Sequence, residues 1–442
     1  MTDTSLEDPV ADYLAALPLK PGIDLSGESL DRVHAVLDRL GKPQESETPV
    51  VHLAGTNGKG STLANLKAMA EADGRRVHCL TSPHLVAMRE QVRLNGQLID
   101  NDALIDALNR VWSTADEIPL TPFEHMTIAA FVAFKETPAD LILLETGLGG
   151  RLDATNVIAN PALQIITPIS FDHQEFLGNS LAQIAREKAG IMRKGGLCIL
   201  APQTDVARLE LVKAASEKGS DVRVHGTDWR YRVSGDQLLV VDGETGFSGP
   251  LPTLKGDHQV MNAATAILAA RSLKEHSIPD SAIKAGLGWV RWPGRLQDLS
   301  TSQLANHVPD GTEIWLDGGH NPSAADVLSS FLKSQDPVDL DVTLICAMKK
   351  PKDRTAFFRQ FTGLVTRMIA LPLWRDDTGY APADLAAEAN DLGLKSVLAK
   401  DLRGALERVS RDTTEAKRRL VLIAGSLRLA GETLALAGEE PR

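Results

Sequence analysis

The stretch that most limits how this chain can fold is VHLAGTNGKGS, residues 51–61. An apolar run, a glycine-rich turn and a helix-compatible segment from Ser61 onward make a strand–loop–helix unit, the setting in which a phosphate-binding loop works. Glycines let backbone N–H groups face an anion, the helix end adds partial positive charge, and Lys59 adds a full one. The loop departs twice from the pattern G-x-x-x-x-G-K-[ST]. The first glycine would fall on Leu53, and Gly60 follows the lysine where Ser or Thr is expected. The bland alternative is a plain turn with a solvent lysine. Three glycines and Asn57 in this setting weigh against it.

Around the loop, short apolar runs alternate with amphipathic segments, which is the pattern of an α/β protein. Strands are expected at 50–54, 76–80, 141–145, 163–168 and 197–201, and their continuous apolar character suits a parallel sheet covered on both faces. Helices are expected at 61–72, 102–115, 124–135, 181–192 and 261–273. Between 229 and 255 the alternation of apolar and polar residues with glycine turns reads as antiparallel hairpins. Pro293 and Gly294 then break the pattern, and a second α/β series comes after them. For 442 residues two domains are the default. The expected organisation has three parts. Residues 1–292 form an N-terminal domain of the P-loop type, a mostly parallel sheet with helices on both faces and a small antiparallel section. Residues 293–300 form a linker, and 301–442 form a Rossmann-like α/β domain.

A net charge of −11 leaves no basic footprint for nucleic acid, although one site can still be locally basic. Cys79, Cys198 and Cys346 form no C-x-x-C pair and read as buried structural thiols. The acidic amino-terminal stretch has no basic n-region, and no run approaches the roughly 18 apolar residues of a membrane span. A cytoplasmic protein without a membrane partner is expected.

Four further stretches carry chemistry. In LLETGLGGRLDATN, Glu145 ends an apolar run, so its carboxylate emerges at the edge where open α/β sheets bind ligands. An acid there can hold Mg²⁺, which prefers oxygen ligands. Gly147, Gly149 and Gly150 allow close backbone approach, while Arg151 and Asp153 offer polar contacts. Asp172 and His173 terminate another strand near the same edge. Lys188 lies in EKAGIM, and on residue type alone the solvent-facing reading is favoured for it. In the second half, LDGGHNP sets Asp317, His320 and Asn321 after a short strand, and WPGR puts Arg295 at the hinge, within reach of phosphates on closure.

Taken together these stretches resemble the folylpolyglutamate synthases, including bacterial bifunctional dihydrofolate synthases, within the Mur ligase superfamily. GTNGKGS, TSPHL, TPFEHMT, LETGLGGRLDATN, DHQEFLG, EKAGIM, WPGR and LDGGHNP occur in the family's order, and the similarity spans nearly the whole chain. The resemblance implies an ATP-dependent ligase that joins L-glutamate to dihydropteroate or to folates through an acyl phosphate, with Mg²⁺. It assigns the ATP phosphates to Gly58, Lys59, Gly60 and Ser61, and further nucleotide contacts to Asn262, Arg295, Asp317 and His320. The magnesium ligands would be Ser82, Glu145 and His173. Thr121, Pro122, Phe123 and Glu124, with Leu152, Asp153 and Ala154, would bind dihydropteroate. Lys188 matches a lysine that is carbamylated in the family, against its bland reading, and Lys59, His173 and Lys188 are the expected catalytic groups. A monomer is expected.

Thr146 stands where the family has an aliphatic residue, Gly319 where it often has alanine, and Glu90-Gln91-Val92 where Glu-Arg-Ile is usual. These departures bear on substrate preference. Three rivals remain. One is a folylpolyglutamate synthase without the first activity. Another is a peptidoglycan Mur ligase, for which the fifty or so residues before the loop are short of a UDP-binding domain. The third is a nucleotide-sensing module without ligase chemistry.

Overall fold

The structure, a computed structural model, describes residues 8–25, 27–373, 378–411 and 418–439. The chain divides into two compact units, Met1–Thr253 with His258–Arg291, and Leu254–Asp257 with Trp292–Arg442. In the first unit the described residues form an eight-stranded sheet. Its order is Gln97–Leu98, Val92–Leu94, Val77–Leu80, Leu141–Glu145, Val50–Ala54, Leu163–Ile166, Leu197–Leu200 and Asp221–Val224. The last six strands run parallel, and the first two add an antiparallel edge.

The expected parallel strands are all present, because each is apolar on both faces and each face meets helices. Val51, Leu53, Leu141 and Leu143 pack with helices Lys59–Ala72, Asp257–Ser272 and Asp280–Trp289. Ile142 and Leu144 point the other way, towards Glu28–Arg39, Asn101–Ala115 and Pro122–Glu136. The stretch from 229 folds as expected into an antiparallel sheet of Trp229–Ser234, Gln237–Asp242 and Thr245–Pro250.

Several boundaries differ from the sequence reading, and each has a local cause. The phosphate-loop helix starts at Lys59 because Gly58, at φ 85°, caps it in the left-handed region. The helix expected at 124–135 starts at Pro122, since Thr121 and Glu124 form a reciprocal capping box. The strand expected to reach 168 stops at Ile166, and the Pro168 carbonyl turns to the phosphate loop instead. The helix expected at 181–192 ends at Lys188 and tightens into a 3₁₀ turn, Ala189–Ile191. Its closing carbonyls are taken by the side chains of Arg193 and Lys218, which donate to Gly190 at 3.2 and 3.0 Å.

In the second unit the described residues form a six-stranded sheet ordered Gln297–Asp298, Glu313–Leu316, Arg418–Ala424, Leu340–Cys346, Arg367–Ala370 and Ser396–Leu398. All but the first pair are parallel. Within the stretch 293–300, Gln297 and Asp298 pair antiparallel with Leu316 and Trp315, and Leu296 and Leu299 are buried. Pro293 and Gly294 break the helix before it, while the buried leucines on either side of Gln297–Asp298 anchor that pair as an edge strand.

Glu432, on the closing helix Leu427–Ala437, is a carboxyl held up to about 7 by burial and then by the charge of Asp401. Its folded value lies above the unfolded one, so ionisation penalises the fold as pH rises from about 4.5 to 7, and the penalty is complete above that. Glu432→Gln is therefore expected to raise the melting temperature at pH 8, by at most about 3 kcal/mol of stability, and to change little at pH 4.5. Thermal melts of both proteins at the two pH values check this.

Candidate active site

The strands at 77–80, 141–145, 50–54 and 163–166 are neighbours in the sheet and run parallel, with Leu80 beside Leu144 and Leu53 beside Glu145. Their carboxyl ends therefore share one edge, and the segments beyond them carry Ser82, Glu145, the phosphate loop and His173. Glu145 is 5% exposed, and its Oε1 lies 3.8 Å from the Lys59 Nζ. That Nζ also donates to the Gly55 carbonyl at 3.2 Å.

The phosphate loop is fastened to the next strand's exit. Thr56 and Asn57 donate their amides to the Pro168 carbonyl at 3.0 and 3.2 Å, and Thr56 Oγ1 and Ser170 exchange two hydrogen bonds of 3.1 Å. Those amides are committed to protein. The amides of the helix's first turn, from Gly58 to Ser61, are the ones placed for an anion. A Cβ on Gly58 would overlap the Asn262 Oδ1, so the loop backbone and this buried amide lie in direct contact. Asn262 Nδ2 donates to Gln259 Oε1 at 3.1 Å, while Asn262 Oδ1 and Gln259 Nε2 have no protein partner among the described residues. A polar pair buried in that state at the loop is one a ligand can complete.

Lys188 corrects the solvent-facing reading. It is 4% exposed, and its Nζ donates to the Gly55 carbonyl at 2.8 Å, so the two lysines converge on one oxygen. Burial, and then the nearby charge of Lys59, pulls its pKa down to about 7. Two glycines bring the lysine in. A Cβ on Gly150 would stand 2.9 Å from the Lys188 carbonyl oxygen, and one on Gly190 would overlap the Arg151 backbone. The Arg151 amide donates to the Glu187 carbonyl at 2.8 Å across this close approach. LGGR and EKAG are thus one packed unit, invisible in either stretch alone.

The segments expected to bind dihydropteroate also meet. Phe123 covers Gly147, where a Cβ would stand 2.6 Å from the ring. Glu124 is buried and spends its carboxylate on the Thr121 amide at 2.8 Å and the Arg32 guanidinium at 2.9 Å. Thr121, Pro122 and Glu124 therefore have a helix-starting role whatever else they do. Asp153 is 3% exposed, accepts from the Leu148 and Thr155 amides at 2.8 and 3.0 Å, and is raised in pKa by burial against those bonds. Leu152 gives its carbonyl to Ser29 Oγ at 3.1 Å, and Ala154 opens the short turn after it.

His173 adopts a left-handed backbone, φ 50°, and caps the short helix Gln174–Leu177, with its Nε2 4.0 Å from Asp172 Oδ2. Ser82 precedes Pro83 in a loop shaped by Glu90, a residue given no role of its own in the sequence reading. The buried Glu90 carboxylate accepts the amides of Leu85 at 2.9 Å and Val86 at 2.7 Å. Among the described residues no three His, Cys, Asp or Glu side chains form a group able to hold a metal. One carboxylate, a hydroxyl and an imidazole at a sheet edge still suit Mg²⁺, which keeps several waters and takes nucleotide phosphates as ligands.

In the second unit, Arg295, Asp317 and His320 come together. Asp317 accepts the Leu296 amide at 2.9 Å and the Gly319 amide at 2.7 Å, while a Cβ on Gly318 would stand 2.7 Å from Arg295 Nη1. His320 Nδ1 lies 3.0 Å from the Gly318 carbonyl.

A phosphate loop fastened between parallel strands, with an acid and a buried lysine beside it, is the arrangement of a nucleotide-binding enzyme. Residues 53–270 match the family model described as the Mur ligase middle domain, and residues 300–436 match "Dihydrofolate synthetase, C-terminal domain". The dihydrofolate synthase/folylpolyglutamate synthase of Bacillus subtilis is 34% identical over 72% of this chain and 73% of its own length. The enzyme of that name from Escherichia coli is 33% identical over 82% of this chain and 80% of its own. Among solved structures, E. coli FolC in complex with DHPP and ADP superposes with a TM-score of 0.86 at 29% identity, covering 98% of this chain and 99% of that one. A bifunctional enzyme with Mn, AMPPNP and L-glutamate bound gives a TM-score of 0.82 at 28% identity, covering 98% of this chain and 99% of that one. The chain belongs to the dihydrofolate synthase/folylpolyglutamate synthase family of ATP-dependent ligases.

Proposed function

We propose that the protein joins L-glutamate to dihydropteroate, forming dihydrofolate, and to folates, extending a polyglutamate chain. The observation that carries this reading is the convergence at one sheet edge of a phosphate loop with Phe123 and the Gly147–Asp153 loop, linked through the buried Lys188. In this account a carboxylate oxygen of the acceptor attacks the γ-phosphorus of ATP, the bond to the bridging oxygen breaks, and ADP leaves. The glutamate amine then adds to the acyl carbon, phosphate departs, and the nitrogen loses a proton. Phosphorylation is needed because a carboxylate alone is a poor acyl donor.

Two anions must approach, and this chain offsets their repulsion with Lys59 and the helix N-terminal amides of Gly58, Gly60 and Ser61. Asn262 presents its free oxygen beside them, and Arg295, Asp317 and His320 are assigned to the nucleotide. Mg²⁺, held by Ser82, Glu145 and His173, would neutralise phosphate charge when bound. Thr121, Pro122, Phe123 and Glu124 with Leu152, Asp153 and Ala154 are assigned to the pteroate end of the acceptor. Lys188 is proposed to be carbamylated: its neutral amine adds to CO₂ and releases a proton, turning a cation into an anion beside the metal. The relatives crystallised with DHPP, with Mn and with L-glutamate support the choice of a pteroate acceptor, a divalent metal and glutamate as the reaction's other components.

The same proposal takes the protein to be cytoplasmic and monomeric. No described helix is long and apolar enough to cross a membrane, and all three cysteines are free and buried.

Phosphate release tests the proposal. With ATP and Mg²⁺ it is expected to require both glutamate and an acceptor, and to proceed with either dihydropteroate or tetrahydrofolate. Release with tetrahydrofolate alone would mark a folylpolyglutamate synthase without the first activity. Release that needs neither co-substrate would sink the ligase assignment.

A further inference from the structure

The geometry points to His52 and Thr155 as positioning residues that hold the acceptor loop in shape through Asp153. His52 lies in the central strand Val50–Ala54 with no exposure, among residues that are otherwise apolar. Its Nε2 is 2.8 Å from Thr155 Oγ1, and Thr155 Oγ1 donates to Asp153 Oδ1 at 2.5 Å. A hydroxyl has one proton. Since Thr155 gives it to the carboxylate, it must accept from His52, which fixes the ring as the Nε2–H tautomer. The hydrogen bonds then run one way, from strand to hydroxyl to carboxylate. Asp153 in turn holds the amides of Leu148 and Thr155, closing the loop of residues 148–155 on itself.

Stability alone does not account for this histidine. Its Nδ1 is buried with no partner among the described residues, a state that costs stability. Burial, and then Arg193, holds the ring pKa down to about 3, so it contributes no charge. A valine would suit a central strand better. What the histidine adds is a directed donor, two residues before the Ala54–Gly55 corner, to the loop on the neighbouring strand. Neither His52 nor Thr155 is placed to touch ATP or acceptor, since both are fully buried.

The inference rests on the proposal that this loop binds the acceptor, and its test separates the two. Steady-state kinetics of Thr155→Val, Thr155→Ser and His52→Val are compared with the unmodified protein. Thr155→Val and His52→Val are expected to raise KM for dihydropteroate about tenfold, with kcat and KM for ATP within about twofold, and Thr155→Ser to restore it. The melting temperature of His52→Val is expected to equal or exceed that of the unmodified protein. An unchanged acceptor KM, a parallel rise in KM for ATP, or a Ser variant as poor as Val would overturn the inference.

If the unmodified protein does not turn over dihydropteroate, the acceptor reading fails, and the hydrogen-bond chain is judged on the ¹⁵N shifts of the His52 ring. A neutral Nε2–H ring from pH 5 to 8 that loses this signature in Thr155→Val supports it. An Nδ1–H or protonated ring overturns it.

Discussion

Lys59→Ala is expected to lower ATP- and glutamate-dependent product formation by on the order of 10³-fold. Its Nζ reaches both the Gly55 carbonyl and Glu145, so it stands between the loop backbone and the acid at the neighbouring strand end. The loop amides of Thr56 and Asn57 are already bonded to Pro168, and four residues of the helix's first turn remain to meet phosphate. With so few donors, the loss of the loop's own full positive charge falls on the step in which negative charge is transferred. Lys59→Arg is expected to recover little, because a planar fork does not replace a compact ammonium in a closed loop. Product analysis with circular dichroism as a folding control reads the effect, and a near-unchanged rate in Lys59→Ala would remove the phosphate loop from the chemistry.

Lys188→Met is expected to abolish activity and stabilise the fold. A lysine held at about 7 when folded and 10.5 when unfolded disfavours folding wherever the unfolded chain is protonated and the folded one resists it. That penalty is complete below pH 7, shrinks as pH rises and vanishes above about 10.5, and it amounts to at most about 5 kcal/mol. In CO₂-free buffer the variant should therefore melt higher than the unmodified protein at pH 6.5, with the gap closing towards pH 10. If the amine is carbamylated, the unmodified protein should lose activity on CO₂ removal and regain it with bicarbonate, more fully above pH 7, where the amine is neutral. A variant that melts lower at pH 6.5 would contradict the buried, depressed lysine. Activity indifferent to CO₂ would leave Lys188 as a plain amine at the loop.

The strands were legible because a parallel sheet covered on both faces needs continuous apolar runs, and VVHLA, LILLE and LQII supply them. The same logic put Glu145 at the sheet edge. Lys188 was not legible from its own surroundings, since its burial depends on Gly150 and Gly190 admitting a distant backbone. His52 carries little sign of its role, because its partner, Thr155, lies 103 residues further along the chain. The only local sign was a polar residue inside an apolar strand. In the second unit the edge strand at Gln297–Asp298 was hidden by the neighbouring Pro293 and Gly294, which do break regularity but only ahead of it. Family resemblance supplied the metal and acceptor roles, and Glu124 shows how far such roles overlap with structure, since its carboxylate also caps a helix and anchors Arg32.

The central claim is that the acceptor carboxylate becomes an acyl phosphate, and oxygen transfer reads it directly. Dihydropteroate labelled with ¹⁸O in its carboxylate is incubated with the protein, ATP, Mg²⁺ and L-glutamate, and the released phosphate is weighed. Phosphate carrying one ¹⁸O for each dihydrofolate formed is the predicted result. Unlabelled phosphate accompanying labelled dihydrofolate would contradict it.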